Sequence, residues 1–167
     1  MDEVRIGVAG IGGMGSNHTG YLTKGDGVPG ARLTAVADVT PARIEWAKAS
    51  LGDGVARFDT PEAMIESGEI DAVIIATPHY FHPPVAIAAF EAGLHVMSEK
   101  PAGVYTNQVK QMNAAAEKAV VRIITTGHGQ GNTDNAAEFA MKQHTVKAND
   151  QTHAWTLWRS DCAQNTC

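Results

Sequence analysis

A chain of 167 residues fits one domain with at most a short appendage, and it is long enough to bury a core without disulfide or metal staples. Hydrophobic residues at 44% and charged residues at 19% describe a globular composition and exclude bulk disorder. With 13 Lys and Arg against 18 Asp and Glu, the formal charge of −5 argues against nucleic acid or an anionic membrane as the main partner.

The first five residues run straight into an apolar segment without a basic leader. No stretch approaches the ~18 consecutive apolar residues of a membrane helix. A cytoplasmic protein with no membrane partner is the expectation. Cys162 and Cys167 lie in the final six positions with no metal-ligand company, so neither a structural disulfide nor a metal site is expected.

Short apolar runs then alternate with longer stretches of helix formers. The pattern predicts strands over 4–9, 33–37, 55–58, 72–76, 95–97 and 120–124, and helices over 14–24, 41–50, 61–67, 83–92 and 107–119. Runs that do not alternate in polarity suit strands buried on both faces of a parallel sheet. Helices between them imply right-handed crossovers. Thr40-Pro41 and Thr60-Pro61 each set a capping hydroxyl before a proline at the first helical position, and Gly93 suits a left-handed helix end. The predicted class is α/β, a doubly wound parallel sheet of about six strands.

Residues 1–127 form that unit and 128–167 an atypical, short, irregular tail. The segment 127–135 is polar and glycine-rich, 136–144 is compatible with a short helix, and Trp155, Leu157 and Trp158 form the one later apolar cluster.

Gly10-Ile11-Gly12-Gly13-Met14-Gly15 is a G-x-G-x-x-G directly after the first strand and opening a helix. Gly10 allows a tight turn, Gly12 a close approach of backbone to a pyrophosphate, and Gly15 close packing of helix on strand. The pyrophosphate would sit on the helix N-terminus, where N–H groups and the helix dipole favour an anion. Asp38 lies 23 positions after Gly15 at a strand end, placed to accept hydrogen bonds from the adenosine ribose. Its charge disfavours a 2′-phosphate, so NAD is expected over NADP. Arg43, five positions later, could lean over the adenine or pair a phosphate, which keeps NADP possible.

Ala76-Thr77-Pro78, with His82 shortly after, and Glu99-Lys100-Pro101 follow the fourth and fifth strands, at the edge where open α/β sheets bind ligands. An ammonium such as Lys100 beside a developing alkoxide stabilises charge and can relay a proton. His18 is expected to pack or bond locally and His79 to face solvent. His128, His144 and His153 match no metal template and receive no role.

Taken together, Gly10/Gly12/Gly15, Asp38, Thr77-Pro78 with His82, Ala92-Gly93-x-His95-Val96 and Glu99-Lys100-Pro101 resemble the Gfo/Idh/MocA oxidoreductases over residues 4–125. The resemblance implies a Rossmann domain whose glycine turn holds the pyrophosphate and whose Asp38 holds the adenosine ribose. It implies that the Thr-Pro segment and His82 line the cofactor cleft. It implies, too, that Lys100 reaches the nicotinamide ribose and the substrate oxygen, assisting hydride transfer with a sugar, inositol or polyol.

Such enzymes normally continue into a second α/β domain that supplies substrate contacts and a catalytic histidine. The sequence after residue 125 does not resemble it. A chain ending at Cys167 is therefore expected to bind the dinucleotide but to act weakly or not at all alone. Three readings stay open: an NAD-dependent oxidoreductase, a non-catalytic dinucleotide-binding module, and a glycosidase using held NAD for transient oxidation.

Overall fold

The computed structural model describes residues 3–24 and 28–119, and the strands at 123–125, 145–148 and 151–154. Six strands form one parallel sheet: β1 (Val4–Ala9), β2 (Ala31–Ala37), β3 (Ala56–Phe58), β4 (Ala72–Ile75), β5 (His95–Ser98) and β6 (Ile123–Thr125). Their spatial order is β3-β2-β1-β4-β5-β6. This is the doubly wound Rossmann order, and it places the topological switch point between β1 and β4.

The intervening helices are α1 (Gly13–Thr23), α2 (Pro41–Ser50), α3 (Pro61–Glu66), α4 (His82–Glu91) and α5 (Thr106–Ala119). A 3₁₀ turn, His79–Phe81, precedes α4 and was not anticipated. A separate antiparallel hairpin pairs β7 (Thr145–Ala148) with β8 (Gln151–Ala154), adding strands where the sequence predicts only irregular chain. The expected helix at 136–144 and the Trp155, Leu157, Trp158 cluster lie outside the described residues.

Strand alternation sends apolar side chains to both faces. Ile6, Val8, Ile74 and Met97 join Leu22 and Ala47 in one cluster, on the α1 and α2 face. Val73, Ile75 and Val96 join Met64, Val85, Phe90 and Met112 in the other, contributed by α3, α4 and α5. Burial on both faces is why these strands read as continuous apolar runs. Pairing of β1 with β2 skips a residue, Ile6 opposing Leu33 and Gly7 opposing Ala35. The extra residue, Thr34, turns its hydroxyl to the Glu69 carbonyl at 2.8 Å. That bulge lets Leu33 and Val36, three apart, share one face.

Gly7 is required by packing, since a Cβ there would lie 2.9 Å from both Ile70 Cγ2 and Met64 Sδ. At the opposite edge from the ligand side, the Arg5 guanidinium forks onto Asp71, with Nη2 2.7 Å from Oδ1. Asp71 N also donates to Arg5 O at 2.8 Å, tying β1 to the start of β4. The Asp71 hydrogen bond holds the Arg5 guanidinium above its ordinary pKa.

Helix ends follow the predicted chemistry with one exception. Thr60 Oγ1 accepts from Ala63 N at 3.2 Å, a side-chain cap. Gly93 takes φ 76°, and Leu94 N bonds Ala89 O while Gly93 N bonds Phe90 O, which closes α4 in a Schellman arrangement. Thr40 makes no side-chain cap on α2. Its backbone N–H instead donates to Asp38 Oδ1 at 2.9 Å, so the tight turn out of β2 is held by Asp38 rather than by the Thr40 hydroxyl. Among the described residues, no helix is long and apolar enough to cross a membrane.

Candidate functional site

The turn from β1 into α1 is built at the switch point, with each glycine meeting a different constraint. Gly10 sits at φ +83°, and a Cβ on it would come within 2.8 Å of Ala76 O and Thr77 N at the end of β4. A Cβ on Gly15 would fall 1.8 Å from the Gly10 carbonyl oxygen. Only bare backbone allows the helix to start this close to the strand. Around Cβ positions on Gly12 and Gly13, by contrast, nothing lies within 4 Å. Nothing in the fold fills that space, so their smallness leaves an open floor above the helix terminus. Gly12 is the N-cap of α1 with no side-chain cap, and no acidic residue occupies the first turn. The first-turn N–H groups of a helix have no intrahelical partner, and here no capping side chain meets them. Ile11 is fully buried, in the cluster on the α1 and α2 face, and Met14 is half-buried.

Asp38 follows β2 directly and is half-buried. Its Oδ2 accepts from Ile11 N at 2.9 Å while Oδ1 accepts from Thr40 N at 2.9 Å. The carboxylate thus joins the glycine turn to the β2–α2 turn. A carboxylate has about four acceptor positions, so two remain for hydroxyl donors such as those of a ribose. Arg43 stands exposed in the first turn of α2, its N–H donating to Thr40 O at 2.8 Å.

The ends of β4 and β5 complete the edge. Ala76 N donates to Ala9 O at 2.8 Å, which brings Ala76, Thr77 and Pro78 alongside Gly10. Thr77 Oγ1 is buried with no hydrogen-bond partner among the described residues, a polar atom beside the glycine turn that a ligand can satisfy. His82 is fully buried, with Nδ1 2.8 Å from Pro101 O and Nε2 2.8 Å from Thr77 O. Both partners are carbonyl oxygens, and which ring nitrogen donates depends on the tautomer. His82 therefore joins the loop after β4 to the loop after β5 from inside, where the sequence expectation set it lining the cleft.

Glu99 is also buried, its backbone N bonded to Ile75 O at 2.8 Å. Its carboxylate accepts from His18 Nε2 at 2.8 Å and from Lys100 N at 3.2 Å. Lys100 itself is exposed at the sheet edge. His18 packs inward as expected, but its hydrogen-bond partner lies 81 positions away rather than nearby. Buried positions Gly15, His18, Thr19 and Leu22 fall at helical spacing along α1. That periodicity foretells the inward face, but nothing in the sequence names Glu99 as the partner. Among the described residues, no three His, Cys, Asp or Glu side chains are grouped to hold a metal ion.

These residues fit a dinucleotide: an open glycine floor on a helix terminus, an acceptor at the end of β2, and a buried, unpartnered threonine hydroxyl beside them. Comparison with known proteins agrees with that reading. The model of the oxidoreductase family with an NAD-binding Rossmann fold, Gfo/Idh/MocA, matches residues 4–128. A second model, for the C-terminal part of peptide-N-glycosidase F, matches residues 102–166. It covers less than half the chain, and its first part includes α5 of the parallel-sheet unit.

Inositol 2-dehydrogenase 1 of Saccharopolyspora erythraea is 42% identical over 98 residues, 59% of this chain and 28% of that protein. Rhizopine catabolism protein MocA of Rhizobium meliloti is 32% identical over 124 residues, 74% of this chain and 37% of that protein. Among solved structures, scyllo-inositol dehydrogenase from Lactobacillus casei, with bound cofactor NAD(H) and scyllo-inositol, superposes with a TM-score of 0.68 at 30% identity over 74% of this chain and 36% of that one. The WlbA dehydrogenase from Bordetella pertussis, in complex with NADH and UDP-GlcNAcA, gives 0.67 at 34% identity, over 74% and 37%. The chain thus spans between 28% and 37% of the length of these relatives. With three quarters of its length matched by the family model and its glycine turn, strand order and sheet edge all built for a dinucleotide, the chain belongs to the Gfo/Idh/MocA oxidoreductase family through that family's NAD-binding Rossmann unit.

Proposed function

We propose that this chain is the cofactor-binding part of an NAD(H)-dependent oxidoreductase acting on a hydroxyl of an inositol, sugar or related polyol. The observation that carries this reading is the open floor at Gly12 and Gly13 on the α1 terminus, between the carboxylate of Asp38 and the hydroxyl of Thr77. The names of the relatives, inositol dehydrogenases among them, support the substrate class.

In this reading the backbone N–H groups of residues 12–15 hold the diphosphate, where the helix dipole adds to their attraction. Asp38 accepts from the adenosine ribose and, being anionic, disfavours a 2′-phosphate, so NAD is preferred over NADP. Arg43, beside it on α2, faces the adenine end. Ala76, Thr77 and Pro78 border the cofactor at the switch point. When bound, the nicotinamide accepts or supplies the hydride. Lys100, exposed after β5, is the residue assigned to the nicotinamide ribose and the substrate oxygen, where an ammonium stabilises a developing alkoxide. His82 and Glu99, both buried, act from behind the surface rather than at it.

The test is calorimetric titration of the 167-residue chain with NAD, NADH and NADP, followed by NADH formation on adding myo- or scyllo-inositol. NAD(H) binding tighter than NADP supports the cofactor assignment, and net NADH formation supports the reaction. Absence of binding by either dinucleotide overturns the reading, whereas binding with little or no turnover is the result expected of a cofactor-binding part by itself.

A further inference from the structure

The segment that carries Lys100 is anchored on both flanks by buried histidines from two different helices. On one flank, His18 of α1, 2% exposed, donates from Nε2 to Glu99 Oε1 at 2.8 Å. The other carboxylate oxygen accepts from the backbone N–H of Lys100 itself at 3.2 Å. On the far flank, Pro101 O lies 2.8 Å from His82 Nδ1 at the start of α4. Behind these, Glu99 N is bonded to Ile75 O at 2.8 Å, and the adjacent Ser98 is fully buried. An exposed lysine thus stands on a backbone fixed on either side of it. A lysine stem is flexible, so the spread of its ammonium depends on how firmly its Cα is held.

We infer that His18, acting through Glu99, is a positioning residue for Lys100. It links the helix that opens at the diphosphate site to the backbone N–H of the lysine at the nicotinamide side of the same edge. The pair is buried, spans 81 positions, and its carboxylate also accepts from the Lys100 amide. A pair serving only to hold α1 against the sheet needs no contact with that amide. The inference rests on the proposed role of Lys100 toward the nicotinamide ribose.

A double-mutant cycle separates the two roles. NADH and ADP-ribose, which lacks the nicotinamide, are titrated into the wild-type chain, Lys100→Met, His18→Leu and the double variant. Lys100→Met is expected to weaken NADH about tenfold while leaving ADP-ribose within about twofold, the loss of one charge-assisted contact. His18→Leu is expected to show the same split, and the double variant to lose no more than Lys100→Met alone, because the two act as one unit. His18→Gln, which keeps a donor toward Glu99, is expected to restore NADH binding in part. Should the Leu variant not fold, His18→Asn, too short to reach Glu99, takes its place in the cycle.

Losses that add in the double variant, or a His18 substitution that weakens both ligands equally or neither, overturn the inference. An unsplit Lys100→Met removes the Lys100 reading and the inference with it. That result is distinguishable, because it appears in the lysine variant before any histidine is changed.

Discussion

A Cβ on Gly15 would lie 1.8 Å from the carbonyl oxygen of Gly10, well inside any contact that real atoms make. The obstacle is backbone, which cannot rotate out of the way as a side chain can. Gly15→Ala is therefore expected to destabilise the domain by about 3 kcal/mol or more, since α1 must shift off β1. Gly20, on the same helix, has nothing within 4 Å of its Cβ position. Gly20→Ala is expected to raise stability by about 0.5–1 kcal/mol through helix propensity alone. Denaturant titrations of the two variants check the pair, and equal effects would refute the packing argument.

Gly12 separates binding from folding. Its Cβ position is open and its φ is negative, −67°. Gly12→Ala is expected to leave the melting temperature within a few degrees, a shift of about 1 kcal/mol or less. The same methyl would stand where a diphosphate approaches the helix terminus, and affinity for NAD is expected to fall about tenfold or more. Calorimetry beside thermal melts reads both quantities. Unchanged NAD affinity in a folded variant would place the diphosphate elsewhere.

Removing the Asp38 carboxylate withdraws the acceptor of Ile11 N and Thr40 N together. Asp38→Ala is expected to cost about 1–2 kcal/mol of stability, because the N–H of the buried Ile11 and the exposed N–H of Thr40 both lose their acceptor. It is also expected to weaken NAD and to narrow or reverse its preference over NADP, because the repulsion of a 2′-phosphate is gone. Parallel titrations with both dinucleotides decide this, and an undiminished preference for NAD would assign discrimination to another residue.

The two threonine–proline helix starts look alike in sequence and differ in the fold. Thr60 Oγ1 accepts from Ala63 N, whereas Thr40 makes no side-chain cap. Thr60→Ala is expected to cost about 1 kcal/mol, the usual value of a lost N-cap, and Thr40→Ala only a few tenths. Chemical denaturation of the two single variants measures the contrast directly.

Sequence by itself determined the sheet and its ligand edge. Apolar runs of strand length, split by helix formers and punctuated by Thr-Pro and Gly93, prescribe βα alternation, because burial on both faces and helix-end chemistry are local requirements. The glycine turn was legible for the same reason: a positive φ at Gly10 and a backbone contact at Gly15 admit no other residue. What only the tertiary structure decided were the partnerships between distant segments. His18 reads as one polar residue on a buried helical face, and Glu99 as one acid in a strand-end motif. They meet because parallel pairing of β1, β4 and β5 brings the start of α1 and the end of β5 to one edge. His82 likewise joins two loop carbonyls, Thr77 O and Pro101 O, and Asp38 holds the Thr40 N–H in a turn where a Thr40 side-chain cap was expected. Hydrogen bonds of this kind depend on where folding sets the donors and acceptors in space, and residue spacing along the chain carries no record of it.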